Sequence, residues 1–312
     1  MDRTSFIIRR LRQIVLVVIG IVVATFFLIR AVPGDPAVVI LGERATPESL
    51  ASLRIALGLD QPLPVQFAVY VGRIFSGDLG TSISSGTPVI DVMIPRMQVT
   101  IFLVVYSVVL ASIIALPLAT IAALRSGGLV DQVIRAIFTV TMAMPSFWIG
   151  IILILVLSIG LKLFPVSGYG DNLPDRLWHL FLPALTTALY LASMVIRSLR
   201  NSFLDLLNSE HVAFARSQGL TESTVFRRHI LRNGLSPTIS VLAITTGWLI
   251  GSTVVIETVF SIPGAGRLLI DSVFRRDYPV ISGLVMLYAI IAVTINLVAD
   301  LMYTYLDPRV SL

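Results

Sequence analysis

The chain has 312 residues, of which 56% are hydrophobic and only 13% are charged, and its net charge is +5. An average soluble protein carries about 25% charged residues. A water-soluble domain of this length has too little interior to bury so much apolar surface, so the excess must face lipid. The composition excludes disordered, collagen-like and disulfide-stapled classes, and the absence of cysteine excludes thiol catalysis and thiolate zinc sites.

The basic residues give no sign of a nucleotide or nucleic-acid site. Lys162 is the single lysine and follows Leu161, whereas a P-loop requires glycine directly before its lysine. We therefore expect no Walker-type ATP site in this chain. In a membrane protein, arginines held on one side of the bilayer explain a basic balance, so we expect no nucleic-acid partner.

Apolar windows predict an all-α membrane protein with six transmembrane helices. A helix needs roughly 20 apolar residues to cross a bilayer core about 30 Å thick. The windows are 14–29, 98–124, 136–161, 177–196, 238–256 and 282–305. A signal peptide is the alternative for the first window, and Arg30 and Pro33 disfavour it because they stand where small cleavage-site residues belong.

The distribution of basic residues predicts the orientation. With the N-terminus inside, 13 of the 23 basic residues lie in cytoplasmic segments and five lie in the short outer loops. The positive-inside rule then places both termini in the cytoplasm. The chain divides into a cytoplasmic N-terminus and first span (1–30), an external segment (31–97) and a core with five spans (98–312). In the external segment, Thr46 predicts the cap of a short helix that ends near Gly58, and 65–75 predicts an amphipathic helix.

The segment between the fourth and fifth windows, 197–237, is too polar to cross the membrane and too regular for a loop. Ser209 predicts the cap of a helix that opens with Glu210 and ends at Gly219. Thr221 predicts the cap of a second helix that ends at Asn233-Gly234. Two short helices around a glycine, within 209–234, suit either a mechanical contact with a cytoplasmic partner or an amphipathic hairpin on lipid headgroups.

This segment resembles the coupling motif of ABC-importer permeases. Glu210, Ala213, Ala215, Gly219 and Pro237 match its elements, whereas His211, Ser217 and Gln218 replace the usual Tyr, Ala and Lys. The whole chain is similar to permease subunits of dipeptide, oligopeptide and nickel importers. Further matching motifs are Val32-Pro33-Gly34-Asp35-Pro36, Leu57-Gly58-Leu59-Asp60 with Pro62, Gly77-Asp78-Leu79-Gly80, Pro145-Ser146-Phe147-Trp148, Glu257-Thr258-Val259-Phe260 with Pro263 and Gly266, Arg276-Asp277-Tyr278-Pro279 and Leu306-Asp307-Pro308-Arg309.

The resemblance implies a type I ABC-importer permease fold in a bacterial inner membrane. It implies a second homologous permease, two ATP-binding subunits and an external solute-binding protein as partners, besides membrane lipid. The chain itself would hold no cofactor and catalyse no reaction, because ATP and magnesium would bind in the ATPases. The implied cargo is a di- or oligopeptide, with nickel or glutathione as alternatives. The residues implied to contact an ATPase are Glu210, His211, Val212, Ala213, Phe214, Ala215, Gly219 and Leu220.

The ionisable residues disfavour other classes of membrane protein. An ion-coupled secondary carrier keeps ionisable groups inside its spans, and the second, third and fourth windows hold no Asp, Glu, Lys or Arg. Glu257 and Asp300 lie at window edges, where pairing or an interfacial position is the expected role. The three histidines form no metal or hydrolase motif, so we expect no metal site.

The substrate path has four weak candidates. Met144 and Ser146 flank Pro145, which is expected to kink its helix, as are Pro117 and Pro183. Gly247 and Gly251 form a G-x-x-x-G pair, for which packing within the chain is favoured over a seam with a second permease.

Overall fold

The computed structural model describes residues 3–31, 46–56 and 58–306, together with Val38, and this part of the chain is helical. Within it, the only β pairing is an isolated bridge between Thr81 and Pro88. The motifs at 32–36 and 307–309, and Leu57, lie outside the described residues. The helices are α1 (Arg3–Ala31), α2 (Pro47–Ala56), α3 (Leu63–Phe75), α4 (Val89–Leu124), α5 (Leu129–Ala143), α6 (Ser146–Leu153), α7 (Leu173–Leu207), α8 (Glu210–Ser217), α9 (Glu222–Val225), α10 (Arg232–Val259), α11 (Ala265–Phe274) and α12 (Tyr278–Leu306).

All six apolar windows are helical. Among the described residues, three helical stretches are long and apolar enough to cross a membrane alone, namely Val89–Leu124, Leu173–Leu207 and Tyr278–Ile295. A bent pair of helices adds a fourth if it counts as one span. The first and fifth windows lie in α1 and α10, where the apolar stretches described are the shorter Val15–Phe27 and Leu249–Val259.

The third window is not one straight helix. The two halves, Leu129–Ala143 and Ser146–Gly160, meet at an angle of 108°. The helix breaks at Pro145, because a proline ring leaves no backbone N–H donor and disfavours helical geometry in the residue before it. Met144 is accordingly extended, with ψ 140°. After α6 the chain continues as a π-helical segment, Ile154–Gly160. Pro117 and Pro183 lie inside the continuous helices α4 and α7 and do not break them.

Two compact units make up the fold. The first contains the described residues of 99–267 and 292–306, and the second contains those of 3–98 and 268–291. In the first unit α7 is the central helix, with 67% of its most apolar stretch buried, compared with 39% for α4. Gly150 of α6 allows close packing here, since a Cβ at this position would lie 3.0 Å from the Phe260 ring.

Glu257 at the end of α10 is buried in the first unit. Its carboxylate accepts hydrogen bonds from Thr100 Oγ1 at 2.6 Å and from the Arg267 backbone N–H at 3.0 Å. Thr100 Oγ1 in turn accepts from the Ala265 backbone N–H, so both side chains cap the start of α11. Of the two expected roles, pairing or an interfacial position, the structure shows pairing, with hydroxyl and backbone donors as the partners.

The second unit contains the described external segment. Thr46 caps α2 by accepting from the Ser49 backbone N–H at 3.2 Å, as predicted, and the helix ends before Gly58. The predicted amphipathic helix is α3, which begins directly after Pro62. It packs on α1 through Phe67 and Tyr70, whose rings lie 5.1 and 5.7 Å from that of Phe26.

Asp277 stabilises the turn at residues 82–84 of the same unit by hydrogen bonds. Its buried carboxylate accepts from the hydroxyls of Ser82 at 2.5 Å and Ser84 at 2.9 Å, and from the backbone N–H groups of Ile83 and Ser84 at 3.1 Å. Desolvation by burial opposes ionisation of the carboxyl. The four donors outweigh this effect and hold the pKa of Asp277 below its ordinary value.

Candidate functional site

The site begins where α7 continues beyond its apolar window. The sequence predicts that the fourth span ends at residue 196 and that a separate polar segment follows. In the structure α7 runs without a break through Arg197 and Arg200 to Leu207. The helix continues because Leu199 and Phe203 remain buried along one face while the arginines occupy another. The polar segment therefore starts as a rigid extension of the span.

Helix α8 opens at Glu210 and ends before Gly219, as predicted. Gly219 has φ +75°, a backbone conformation that residues with a Cβ rarely adopt. The prediction that the Ser209 side chain caps this helix is wrong. Its hydroxyl donates backwards to the Leu206 carbonyl at 2.5 Å, and therefore no hydrogen bond links it to the amides of α8.

The second predicted helix has no end of its own. Thr221 precedes α9 without a side-chain cap, and α9 continues through a π-helical segment, Phe226–Leu231, into α10. Asn233-Gly234 was predicted to end the helix and instead lies inside it. The glycine serves packing, because a Cβ on Gly234 would lie 2.6 Å from the Phe203 ring of α7. The segment formed by α8 and α9 is thus joined to α7 at one end and to α10 at the other.

The eight predicted contact residues divide into two faces. Val212 and Ala215 are buried, at three-residue spacing on one side of α8. The other predicted residues are exposed, namely Glu210, His211, Ala213, Phe214, Gly219 and Leu220. Phe214 is 65% exposed and Leu220 is 41% exposed. We call these six exposed residues the α8 surface. It combines large apolar side chains with the carboxylate of Glu210, for which the described residues supply no ion-pair partner.

An ion pair spans the glycine turn. Arg216 of α8 donates to both carboxylate oxygens of Glu222 in α9, at 2.8 and 3.1 Å. This hydrogen-bonded pairing lowers the pKa of Glu222 and raises that of Arg216. The two parallel bonds link the helices on either side of the turn at its exposed surface.

A second ion pair holds the α7 extension, and the sequence did not predict it. Asp131 in the first turn of α5 is completely buried, and Arg200 donates to both of its oxygens at 2.7 Å. The Gly127 backbone N–H also donates to this carboxylate at 3.0 Å. These donors offset the cost of burying the Asp131 carboxylate. The available signal was that Asp131 is the single acidic residue between the second and third windows.

The substrate-path candidates lie in two parts of the chain. Met144 and Ser146 lie on either side of the break between α5 and α6, and Gly247 and Gly251 lie within α10. The favoured interpretation of the glycine pair is wrong for Gly251. A Cβ added there would meet nothing within 4 Å, so this glycine is not required for packing within the chain.

Comparisons with known proteins agree in class. The family described as "Binding-protein-dependent transport system inner membrane component" matches residues 115–312, and its N-terminal companion matches residues 3–104. The dipeptide transport system permease protein DppB of Escherichia coli K12 is 35% identical, with 98% of each chain covered. The oligopeptide transport system permease protein AppB of Bacillus subtilis 168 is 36% identical, covering 98% of this chain and 99% of its own.

Solved structures show the same fold. A chain of the inward-facing MetNI methionine ABC transporter superposes with a TM-score of 0.58 at 15% identity, covering 69% of this chain and 95% of its own. A chain of an amino acid ABC transporter with histidines gives a TM-score of 0.53 at 16% identity, covering 69% and 94%. The type I ABC-importer permease fold is therefore confirmed. The chain belongs to the binding-protein-dependent transport system inner membrane components, the permease subunits of ABC importers.

Proposed function

We propose that this permease imports di- or oligopeptides as one of two homologous membrane subunits, driven by two separate ATP-binding subunits. The observation that carries the proposal is the α8 surface, in which Phe214 and Leu220 are exposed while Val212 and Ala215 hold the helix against the protein. Exposed aromatic and aliphatic side chains of this kind are typical of protein contacts.

The α8 surface docks into a groove on an ATP-binding subunit. Phe214 and Leu220 supply apolar anchors, Ala213 permits close approach, and Glu210 offers its carboxylate to a basic side chain of the partner. ATP and magnesium bind in that partner, which supplies the energy. This permease transmits the movement of the partner and does not itself hydrolyse ATP.

Movement of α8 reaches the spans through rigid connections. Only Asn208 and Ser209 separate α7 from α8, and α9 runs without interruption into α10. The Arg216–Glu222 pair holds the turn between them. Because helices packed in this way shift as rigid bodies, closure of the ATPases tilts α7 and α10 together and alternates access to the solute path.

The remaining assignments follow from the family and the arginine distribution. Both termini lie in the cytoplasm, and an external solute-binding protein delivers the cargo. The relatives DppB and AppB are named for dipeptide and oligopeptide transport, which favours peptides over the alternatives nickel and glutathione. The open face at Gly251 suits close approach of the second permease.

Site-specific cross-linking tests the docking. The chain contains no cysteine, so a Phe214→Cys variant carries one unique thiol. In intact cells, a short bifunctional reagent should join this thiol to an ATP-binding subunit. Val212→Cys is the matched control, because residue 212 lies on the same helix with its side chain buried. No capture at residue 214 in a variant that still transports peptide, or equal capture at residues 214 and 212, would contradict the proposed contact.

A further inference from the structure

A cleft between α5 and α7 combines guanidinium groups with apolar side chains. Its volume is about 620 Å³, within the range of small-ligand pockets. The cleft is lined by Arg135, Phe138, Thr139, Met142 and Ala143 of α5 and by Ser193, Ile196, Arg197, Arg200 and Asn201 of α7.

The two ends of this cleft differ in polarity. The Asp131–Arg200 ion pair brings the start of α5 beside the end of α7. Arg135 lies one turn after Asp131, and Arg197 lies about one turn before Arg200. Farther along α5 the lining is apolar, with Phe138, Met142 and Ala143.

The charged end attracts an anion. Three guanidinium groups line the cleft and no carboxylate does. Asp131 neutralises Arg200 from outside the lining, and Arg135 lies 3.5 Å from the same carboxylate. Arg197 has no ion-pair partner within the described part of the chain. A planar guanidinium matches phosphate oxygens with two parallel hydrogen bonds, and its charge does not titrate near neutral pH.

From this geometry we propose that the cleft binds an anionic phospholipid of the inner leaflet, with the phosphate on Arg135 and Arg197 and an acyl chain along Phe138 and Met142. In the proposed orientation the arginines lie at the cytoplasmic interface, where basic pockets between transmembrane helices receive lipid headgroups. The bound lipid contacts α7 close to the end that is joined to α8.

The apolar part of the lining favours a lipid over the free carboxylate of a peptide. Phe138, Met142 and Ala143 line the cleft together with the guanidinium groups, so an acyl chain attached to the bound phosphate has an apolar surface to contact. An anion without an apolar chain would gain nothing from this surface.

Lipid retention tests the site without requiring transport. The purified full-length protein is exchanged into mixed phosphatidylcholine and phosphatidylglycerol and washed in mild detergent. Native mass spectrometry then measures how much of each lipid stays bound. The variant is Arg135→Gln/Arg197→Gln, which leaves Asp131 and Arg200 in place. Arg125→Gln/Arg227→Gln is the matched control, because it removes the same charge from two exposed arginines outside the cleft.

We expect the cleft variant to retain phosphatidylglycerol about 30-fold more weakly, since each arginine near a membrane surface contributes about a factor of five. The control should retain it nearly as well as the wild type. Equal retention by the cleft and control variants would overturn the proposal. So would a cleft variant that keeps its lipid but shows a raised KM only for peptides with a free C-terminal carboxylate, because the cleft would then be a cargo subsite.

Discussion

Removing Arg200 should destabilise the protein far more than removing its neighbour Arg135. Asp131 is completely buried and the Arg200 side chain is only 14% exposed, so Arg200→Ala leaves a buried carboxylate without its main partner. Breaking a buried pair from one side costs about 3–5 kcal/mol. We expect the lower end, about 3 kcal/mol, because Arg135 at 3.5 Å and the Gly127 amide remain. Arg135→Gln removes a partner that is 53% exposed and should cost less than about 1 kcal/mol.

Thermal unfolding of the purified protein in detergent, followed by circular dichroism, compares the two variants. The midpoint should fall clearly for Arg200→Ala and little for Arg135→Gln. A charge exchange, Asp131→Arg/Arg200→Asp, should recover part of the loss, because it restores opposite charges at the same sites. Equal midpoints for the two single variants would refute the view that this ion pair fastens the α7 extension to α5.

Two further predictions concern buried contacts away from the coupling segment. Gly264→Ala should lower the amount of membrane-inserted protein, because the new Cβ would lie 2.3 Å from the Glu257 carboxylate and push it away from its Thr100 and Arg267 donors. Gly251→Ala should leave that amount unchanged, because its Cβ would meet nothing within 4 Å. Quantitative immunoblotting of membranes compares the two variants, and equal amounts would contradict the packing argument. Asp277 has a lowered pKa, so its stabilising effect is complete above the ordinary carboxyl pKa near 3.9 and is lost as the pH falls through the folded-state value. The unfolding midpoint should therefore lose this contribution only below about pH 4, and Asp277→Asn should abolish that part of the acid dependence; an unchanged acid profile would contradict the assignment.

Local signals predicted the elements whose geometry is set by nearby residues. The Thr46 cap, the glycine that ends α8 and the helix after Pro62 each depend on contacts within a few residues. Apolar runs identified the helical windows for the same reason, since about 20 apolar residues suffice to predict a span. Their ends were less certain, because Phe203 and its buried neighbours extend α7 by packing that no local pattern shows.

The features that the sequence did not predict depend on contacts between residues far apart in the chain. Gly234 has the usual sequence signature of a helix end, but its role is to admit the Phe203 ring. Asp131 and Arg200 are 69 residues apart, and each alone resembles an ordinary interfacial charge. The 108° break had a local signal in Pro145, but prolines 117 and 183 carry the same signal within continuous helices. Only the surrounding packing distinguishes these cases.

The most direct test asks whether α8 transmits the movement of the ATPases to the spans. It measures the ratio of peptide uptake to ATP hydrolysis in a Glu210→Ala/Gly219→Pro variant. Proline cannot adopt the φ of +75° found at residue 219, so this variant distorts the turn between α8 and α9 while leaving the spans intact. Ser217→Ala, at an exposed position on the same helix, is the control. We expect the variant to be inserted at the wild-type level and the assembled importer to hydrolyse ATP with uptake lost. Normal uptake at that protein level would contradict the claim that α8 transmits the movement of the ATPases.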